Sequence, residues 1–515
     1  MDALRTIDLA GMRKSVRGPE ARAPAAVARE VCQRLGLDPT RTLHDLLVEY
    51  LEHEPPKASA VATPIEADDV HQDEVARHEA RAAGVASIVQ RVVQHGYVDA
   101  TNPVVDLFDM EMFLGRLHEL RDAFPPFWTH ALAIKANPLA GILRHAQPLG
   151  FGLETASYAE AMHALRLGFS PDKIIIDSPC KTASELDAVL SLGCYVNLDN
   201  VAEIEHVDRL LREKTTTTAA PKIGLRINPV VGGGTIAASS TATATSKFGL
   251  IWTPETSDRL LSLYKAHHWL QGVHVHVGSQ GCALALLVAG AKRAVAFASF
   301  INDALGRRQI DVIDIGGGVP TSYDGLKAEP VAYATYASLL RADVPELFSG
   351  EYRVISEFGR SVFAKPGVTL SRVEAVKDWQ GHKVAILHCG ANQFLRSVYL
   401  PTTWPMVYSV FAGDGSIKHN VPFVAQDLAG PLCFSGDVVA RQVRLPQVAA
   451  GDYVVLHDTG AYTMAMYSKF NSIPAPATLA YTPTSVAIVK ARESLDATLA
   501  FWGSASEELQ WRPCS

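Results

Sequence analysis

Eight short apolar runs recur along the middle of this chain, and each ends in a polar residue: HALAIK (130–135), GFGLE (150–154), KIIID (173–177), YVNLD (195–199), IGLRIN (223–228), GVHVHV (272–277), DVIDIGGG (311–318) and RVISE (353–357). Between them lie helical patterns such as SYAEAMHALRLG (157–168) and KTASELDAVLSLG (181–193). Strand and helix in alternation imply a parallel sheet. Eight such units imply closure into a (β/α)8 barrel, whose chemistry gathers at the C-terminal ends of its strands. Lys135, Glu154, Asp177, Asn228, His276, Gly316 and Glu357 stand at or near those ends. Strand ends are often polar, but that alone does not bring a lysine, a histidine, a triple glycine and a glutamate to one face.

A chain of 515 residues exceeds one core and divides into domains. Residues 1–100 read as a helical extension with a linker, 101–360 as the barrel, and 361–515 as an all-β domain. In the extension, residues 29–54 and Val75–Val93 have helical apolar spacing, with the linker PPKASAVATPIEADD (55–69) between them. The third part is marked by runs such as GVTLSRVEAVKDW and DYVVLHDTGA. Two small polar stretches, TTTTAAP (215–221) and GGGTIAASSTATATS (232–246), read as flexible surface inserts, the second with a lid as its alternative.

A net charge of −7 speaks against a general nucleic-acid partner. No apolar run stands out as a membrane span. The N-terminus lacks the apolar core of a secretory signal, which points to the cytoplasm, with organelle targeting as the alternative because of its arginines. The seven cysteines, Cys32, Cys180, Cys194, Cys282, Cys389, Cys433 and Cys514, form no CxxC pair, so neither a disulfide framework nor a metal site is expected.

Lys135 ends an apolar strand, where desolvation would lower its pKa and make the amine nucleophilic; a snorkelling lysine is the plainer alternative. The glycines of IDIGGGVP, Gly316, Gly317 and Gly318, allow backbone amides to approach a phosphate, or simply a tight turn. In HVHVGSQ, His274 and His276 fall two apart on a strand and so share a face. They could hold a metal, or His276 could stack on a flat ring while Ser279 binds a phosphate; with no further His or Cys at suitable spacing, stacking is favoured. Glu357 could hold the protonated nitrogen of a pyridine ring, or pair with Arg360. Cys433, after a Gly-Pro turn, could simply be packed.

The motifs AIKANP (133–138), GLETASYAE (152–160), LRINP (225–229), SKFGL (246–250), HVHVGSQ, IDIGGGVP, EFGR (357–360), CGANQFLR (389–396), GPLCFSGD (430–437) and DTGAYTMAMYSKFN (458–471) occur in an order that resembles the fold-type III pyridoxal-phosphate decarboxylases, most of all diaminopimelate decarboxylase. The resemblance covers roughly residues 100–490 and implies a barrel of the alanine-racemase type, pyridoxal 5'-phosphate as cofactor, α-decarboxylation of an amino acid, a place in lysine biosynthesis, and a homodimer with shared sites. It implies that Lys135 carries the cofactor, that His276 stacks on the ring, and that Glu357 pairs with its nitrogen. Ser279, Gly316–Gly318, Arg360 and Tyr462 would bind the phosphate. Arg360, Arg396, Tyr399 and Tyr462 would surround the substrate, with Cys433 entering from the partner subunit to return a proton to Cα.

Two positions depart from the family pattern. Phe358 replaces a proline. Phe434 replaces the acid that meets the substrate's distal ammonium, and a ring cannot pair a buried cation. The expected substrate is therefore an amino acid with a remote acid or apolar group, including modified or conjugated ones. Alternatives are an ornithine, arginine or carboxynorspermidine decarboxylase, an alanine-racemase-like enzyme, a non-catalytic regulatory homologue, and a metal enzyme built on His274 and His276.

Overall fold

The structure, a computed structural model, describes residues 64–213, 222–326 and 332–503. The expected helix at 29–54, the TTTTAAP insert, Cys32 and Cys514 lie outside them. The chain divides into compact units of residues 1–75 and 76–515. Helix α1 (Pro64–Gln94) begins within the expected linker, and β1 (Val104–Asp109) follows it.

The barrel strands are β2 (Thr129–Ala133), β3 (Gly152–Thr155), β4 (Ile174–Asp177), β5 (Tyr195–Leu198), β6 (Ile223–Asn228), β8 (Leu270–His274), β9 (Val312–Asp314) and β10 (Arg353–Ser356); a two-residue β7 (Leu250–Ile251) only extends the edge of β6. Neighbours pair in parallel around the ring, and β10 closes onto β2. Capping residues start the outer helices where the sequence places them. Ser157 accepts from the Glu160 amide, and Thr182 forms a capping box with Glu185, a device worth about 1 kcal/mol.

The barrel interior is layered. Ala131, Ile175, Tyr195, Val312 and Ile355 form an apolar floor. Gly224 and Gly272 make room there for the Tyr195 ring, since a Cβ at either would lie 2.5 or 2.0 Å from its hydroxyl. Glu154, Asp177, Asn197, Arg226, His274, Asp314 and Glu357 are buried at the strand ends, so this barrel fills its mouth with charge rather than with more apolar side chains.

The helix Leu284–Leu305 has the length and composition to cross a membrane, contrary to the expectation that no run would. Here Leu287, Ala291, Ala294, Ala298 and Ile301 are buried in the barrel's apolar layer. A fully helical apolar run inside a β/α repeat is simply a buried outer helix.

The second sheet comprises β11 (Gly367–Trp379), β12 (His382–Leu387), β13 (Tyr408–Phe411), β14 (Phe423–Ala429), β15 (Val438–Pro446), β16 (Tyr453–Leu456), β17 (Ala477–Tyr481) and β18 (Val486–Lys490), together with β1. β1 pairs antiparallel with β11 and parallel with β17. Residues 104–109, counted with the barrel in the sequence, thus belong to this sheet: the chain crosses it once before entering the barrel.

Candidate active site

Lys135 stands two residues beyond the end of β2, on the short 3-10 turn Ile134–Ala136. Its Nζ donates to Glu154 Oε1 at 2.6 Å, and 39 % of the side chain is exposed, which leaves the amine open to a ligand. Burial disfavours the ammonium, but the carboxylates of Glu154 and Glu357 outweigh it and push the pKa above the ordinary lysine range. The expectation of a lowered pKa is therefore corrected: desolvation is present, and the three carboxylates of Glu154, Glu357 and Asp177 reverse its effect.

Two of these acids, Asp177 and Glu357, also face His274, together with Asp314. Its Nδ1 lies 3.2 Å from Asp314 and its Nε2 3.4 Å from Asp177, which also accepts from Arg226 Nη1 at 2.7 Å. Burial opposes the imidazolium, but Asp314, Asp177 and Glu357 raise its pKa well above the usual value. His276 behaves oppositely. Burial, Arg226 and Lys135 push its pKa well down, and its Nδ1 accepts the Gly317 amide at 3.1 Å. The strand ends at His274, so the expectation of two histidines sharing one strand face does not hold. His274 is fully buried among carboxylates that favour its charged form, and His276 lies on the loop beyond, in surroundings that favour the neutral ring, with 18 % of its side chain exposed.

Glu357 is not paired with Arg360. Its side chain is 1 % exposed, and neither carboxylate oxygen has a hydrogen-bond partner among the described residues. Burial and Asp314 raise its pKa well above the carboxylate range. An orphaned buried carboxylate beside a charged lysine and a flat neutral imidazole fits the protonated nitrogen of a pyridine ring, which would supply the missing donor. Asp177, His274 and Glu357 also stand close enough to offer one metal-ligand atom each. Both ring nitrogens of His274 already face carboxylates, 3.2 Å from Asp314 and 3.4 Å from Asp177, so the cluster fits the ring better.

The glycine turn serves mainly by being thin. A Cβ at Gly317 would lie 2.1 Å from the Glu357 carbonyl oxygen, and one at Gly318 2.3 Å from that of Gly278. Of the three amides expected to face a phosphate, Gly316 donates to Asp314 and Gly317 to His276. The Gly318 amide donates to no protein atom among the described residues. Beside it, Arg360 Nε donates to Ser279 Oγ at 3.3 Å. The 232–246 insert is not loose. Thr241 N donates to Val277 O, Ser279 N donates to Ser239 O, and Ala242 is fully buried, so the insert is strapped to the loop bearing His276 and Ser279.

Tyr462 is held near Lys135 by its own backbone, which donates to Ala136 O at 2.8 Å from a left-handed conformation (φ +58). The guanidinium carbons of Arg360 and Arg396 lie 4.5 and 4.6 Å from the centre of its ring, and both also approach Trp404. They line a pocket of about 430 Å³ with Tyr323, Phe394 and Met406. Arg396 lies near Arg360 and the phenols of Tyr462 and Tyr323, it forms no ion pair with a carboxylate among the described residues, and burial lowers its pKa.

Cys433 and Phe434 form a separate group. Cys433 is exposed, and its amide donates to Asn471 Oδ1. Phe434 stacks on Tyr399 (6.2 Å, 11°) and meets Phe470 edge-on. No contact joins this group to Lys135 among the described residues. Sequence reasoning passed over Asp314, Arg226, Tyr323 and Trp404. The first two were legible inside the quoted IDIGGG and LRIN runs as charges on apolar strands, whereas Tyr323 and Trp404 carry no such signal.

Two family models match. "Pyridoxal-dependent decarboxylase, pyridoxal binding domain" covers residues 111–364, and "Pyridoxal-dependent decarboxylase, C-terminal sheet domain" covers 299–460. The diaminopimelate decarboxylase of Zymomonas mobilis is 29% identical over 371 residues, 71% of this chain and 83% of that protein. That of Escherichia coli K12 is 28% identical over 385 residues, 72% of this chain and 87% of that protein. The crystal structure of diaminopimelate decarboxylase from Helicobacter pylori complexed with L-lysine superposes with a TM-score of 0.68 at 25% identity, over 78% of this chain and 96% of that one. Barrel, sheet and orphaned carboxylate agree with these matches: the chain belongs to the pyridoxal-dependent decarboxylases, and it is a carboxy-lyase that uses pyridoxal 5'-phosphate.

Proposed function

We propose that this diaminopimelate-decarboxylase-like enzyme removes the α-carboxylate of an amino acid whose far end carries an acid or apolar group and no ammonium. The observation that carries the reading is Phe434, stacked in an aromatic rim with Tyr399 and Phe470 where the family places an acid. Arg360 and Arg396, without a carboxylate beside Arg396, offer an anion site in the adjoining pocket.

When bound, pyridoxal phosphate supplies an electron sink for the pair left behind as carbon dioxide departs. The chain's own residues do the rest. Lys135 must lose a proton before its amine can act, and Glu154 Oε1 is 2.6 Å away to take it. Burial raises the pKa of Glu154, which suits it to that role. His276 would cover the ring, Glu357 would keep its nitrogen protonated, and Ser279, Arg360 and the Gly318 amide would hold the phosphate. Cys433, exposed and joined to Lys135 of its own chain by no contact among the described residues, serves the site of a second copy and returns the proton to Cα. The reading requires a homodimer.

The test is a screen of amino acids for carbon dioxide release, with F434E beside the wild type. The wild type should turn over meso-diaminopimelate poorly and an acid- or apolar-ended substrate well. F434E should raise kcat/KM for meso-diaminopimelate roughly 10- to 100-fold, the worth of a charge-assisted hydrogen bond. Efficient turnover of meso-diaminopimelate by the wild type would refute the reading.

A further inference from the structure

Arg81 lies on helix α1, in the stretch read from sequence as an appendage, yet its Nε donates to the main-chain oxygen of Asp324 at 2.6 Å. The helix is firmly seated on the sheet. Ala82, Val85, Ile88, Val89 and Val92, at helical spacing, are each at most 4 % exposed and pack with Val105, Leu370, Phe411 and Val455. One turn before Ala82, His78 Nε2 accepts the Val410 amide at 3.1 Å.

The segment that Arg81 holds is fixed from two other directions. Lys365 Nζ donates to Asp324 Oδ1 at 2.5 Å and to Asp458 Oδ2 at 3.2 Å, and the Gly325 amide donates to the same Asp458 oxygen at 2.9 Å. Gly325 has φ +72, and a Cβ there would lie 2.8 Å from Val407 and 3.1 Å from Arg81 Cδ, so the fit leaves no slack. The residue before Asp324 is Tyr323. Its hydroxyl accepts from Arg360 Nη1 at 2.5 Å, and Arg360 Nε reaches Ser279. A continuous chain of contacts thus runs from α1 through Arg81, Asp324, Tyr323 and Arg360 to Ser279.

We propose that Arg81 is a positioning residue of the active site: by fixing the Asp324 backbone it sets Tyr323, and through Tyr323 the guanidinium of Arg360 beside Ser279. The N-terminal helix is then part of the cofactor and substrate machinery rather than a detachable arm. The proposal rests on the placing of Arg360 and Ser279 at the phosphate.

The test is a titration of apo-enzyme with pyridoxal phosphate, followed by cofactor absorbance, for the wild type, R81M, Y323F and R81M/Y323F. Each single change should weaken binding about fivefold, the worth of roughly one hydrogen bond. The double variant should be no weaker than Y323F alone, because both act through one path. R81K, which can still donate to the Asp324 oxygen, should recover most of the affinity, while R81M keeps the chain length of the side chain without the donor. If R81M does not fold, R81Q takes its place in the same cycle. Wild-type affinity in R81M or R81Q, losses that multiply in the double variant, or equal losses in R81K and R81M would each overturn the proposal. Cofactor affinity does not depend on which amino acid is decarboxylated, so failure here leaves the substrate reading untouched.

Discussion

Glu357 shows at a single residue how a site can be stored in a fold at the expense of stability. Its carboxylate is buried without a donor, and Asp314, Glu154 and Asp177 crowd it with like charge. Its folded pKa lies above its unfolded one, so between those values the folded chain holds the extra proton. Stability contributed by the protonated form is complete at low pH and is lost as pH rises through the folded pKa. At neutral pH the apo-enzyme therefore carries a penalty that a protonated pyridine nitrogen would relieve. E357Q should raise the Tm of the apo-enzyme at pH 7 while lowering kcat about 100-fold, roughly 2.7 kcal/mol of lost charge-assisted stabilisation. Scanning calorimetry of apo-protein beside steady-state rates of holoenzyme checks both halves. A drop in apo Tm, or unchanged kcat, would show that Glu357 is a structural carboxylate and not the partner of the ring.

Among the elements, helix α1 was the least legible as to its role. Its spacing shows a helix, but spacing cannot say which surface the apolar stripe meets, and that surface is assembled from β1, β11, β13, β16 and β17. The docking has a pH signature. Buried His78, beside Arg81, has its pKa lowered to about 4 from 6.5. Between those values the unfolded chain binds the more protons, so stability is full above pH 6.5 and falls as pH drops toward 4, by an amount on the order of 3 kcal/mol. H78Q keeps an acceptor for the Val410 amide but cannot titrate, so urea unfolding of H78Q should lose less stability between pH 7 and pH 4.5 than the wild type does. Equal losses would place the protonating group elsewhere. The barrel was legible for the opposite reason: each strand is a local apolar run with a polar end, and β6 matches its run residue for residue. The strands β1, β13 and β17 escaped notice because they are short runs without a repeating partner pattern, defined only by distant pairing. The site followed the same division. Lys135, His276 and Glu357 could be read because barrel geometry brings strand ends together. The orphaned state of Glu357, the opposite pKa shifts of His274 and His276, and the internal use of the Gly316 and Gly317 amides depend on side chains from several strands at once.

At the level of the whole molecule, one chain holds the parts of a decarboxylase without joining them. Lys135 and the buried acids lie at the barrel mouth, while Cys433 is exposed on a loop fixed from the sheet side. Asp437 accepts the amides of Ala391 and Leu432 at 2.7 Å each, and so ties the Cys433 loop to the segment leading to Arg396. Around it, Tyr399 is 61% exposed and Phe470 49%, large rings left in water on a single chain. This loop is well supported, and no contact among the described residues joins it to Lys135 of its own barrel. A two-fold pair of chains would instead give each barrel the Cys433 of the other, since an isologous interface exchanges equivalent surfaces. The consequence is quantitative. In such a pair K135A would lack the lysine in both sites, and C433A would lack the proton donor in both. After equal amounts are mixed and allowed to exchange subunits, half the dimers are mixed, and each has one site with both residues and one with neither. About a quarter of all sites, and so about a quarter of wild-type activity, should return from two nearly inactive variants. If Cys433 served its own chain, every site in every mixed dimer would lack one of the two residues, and mixing would restore nothing.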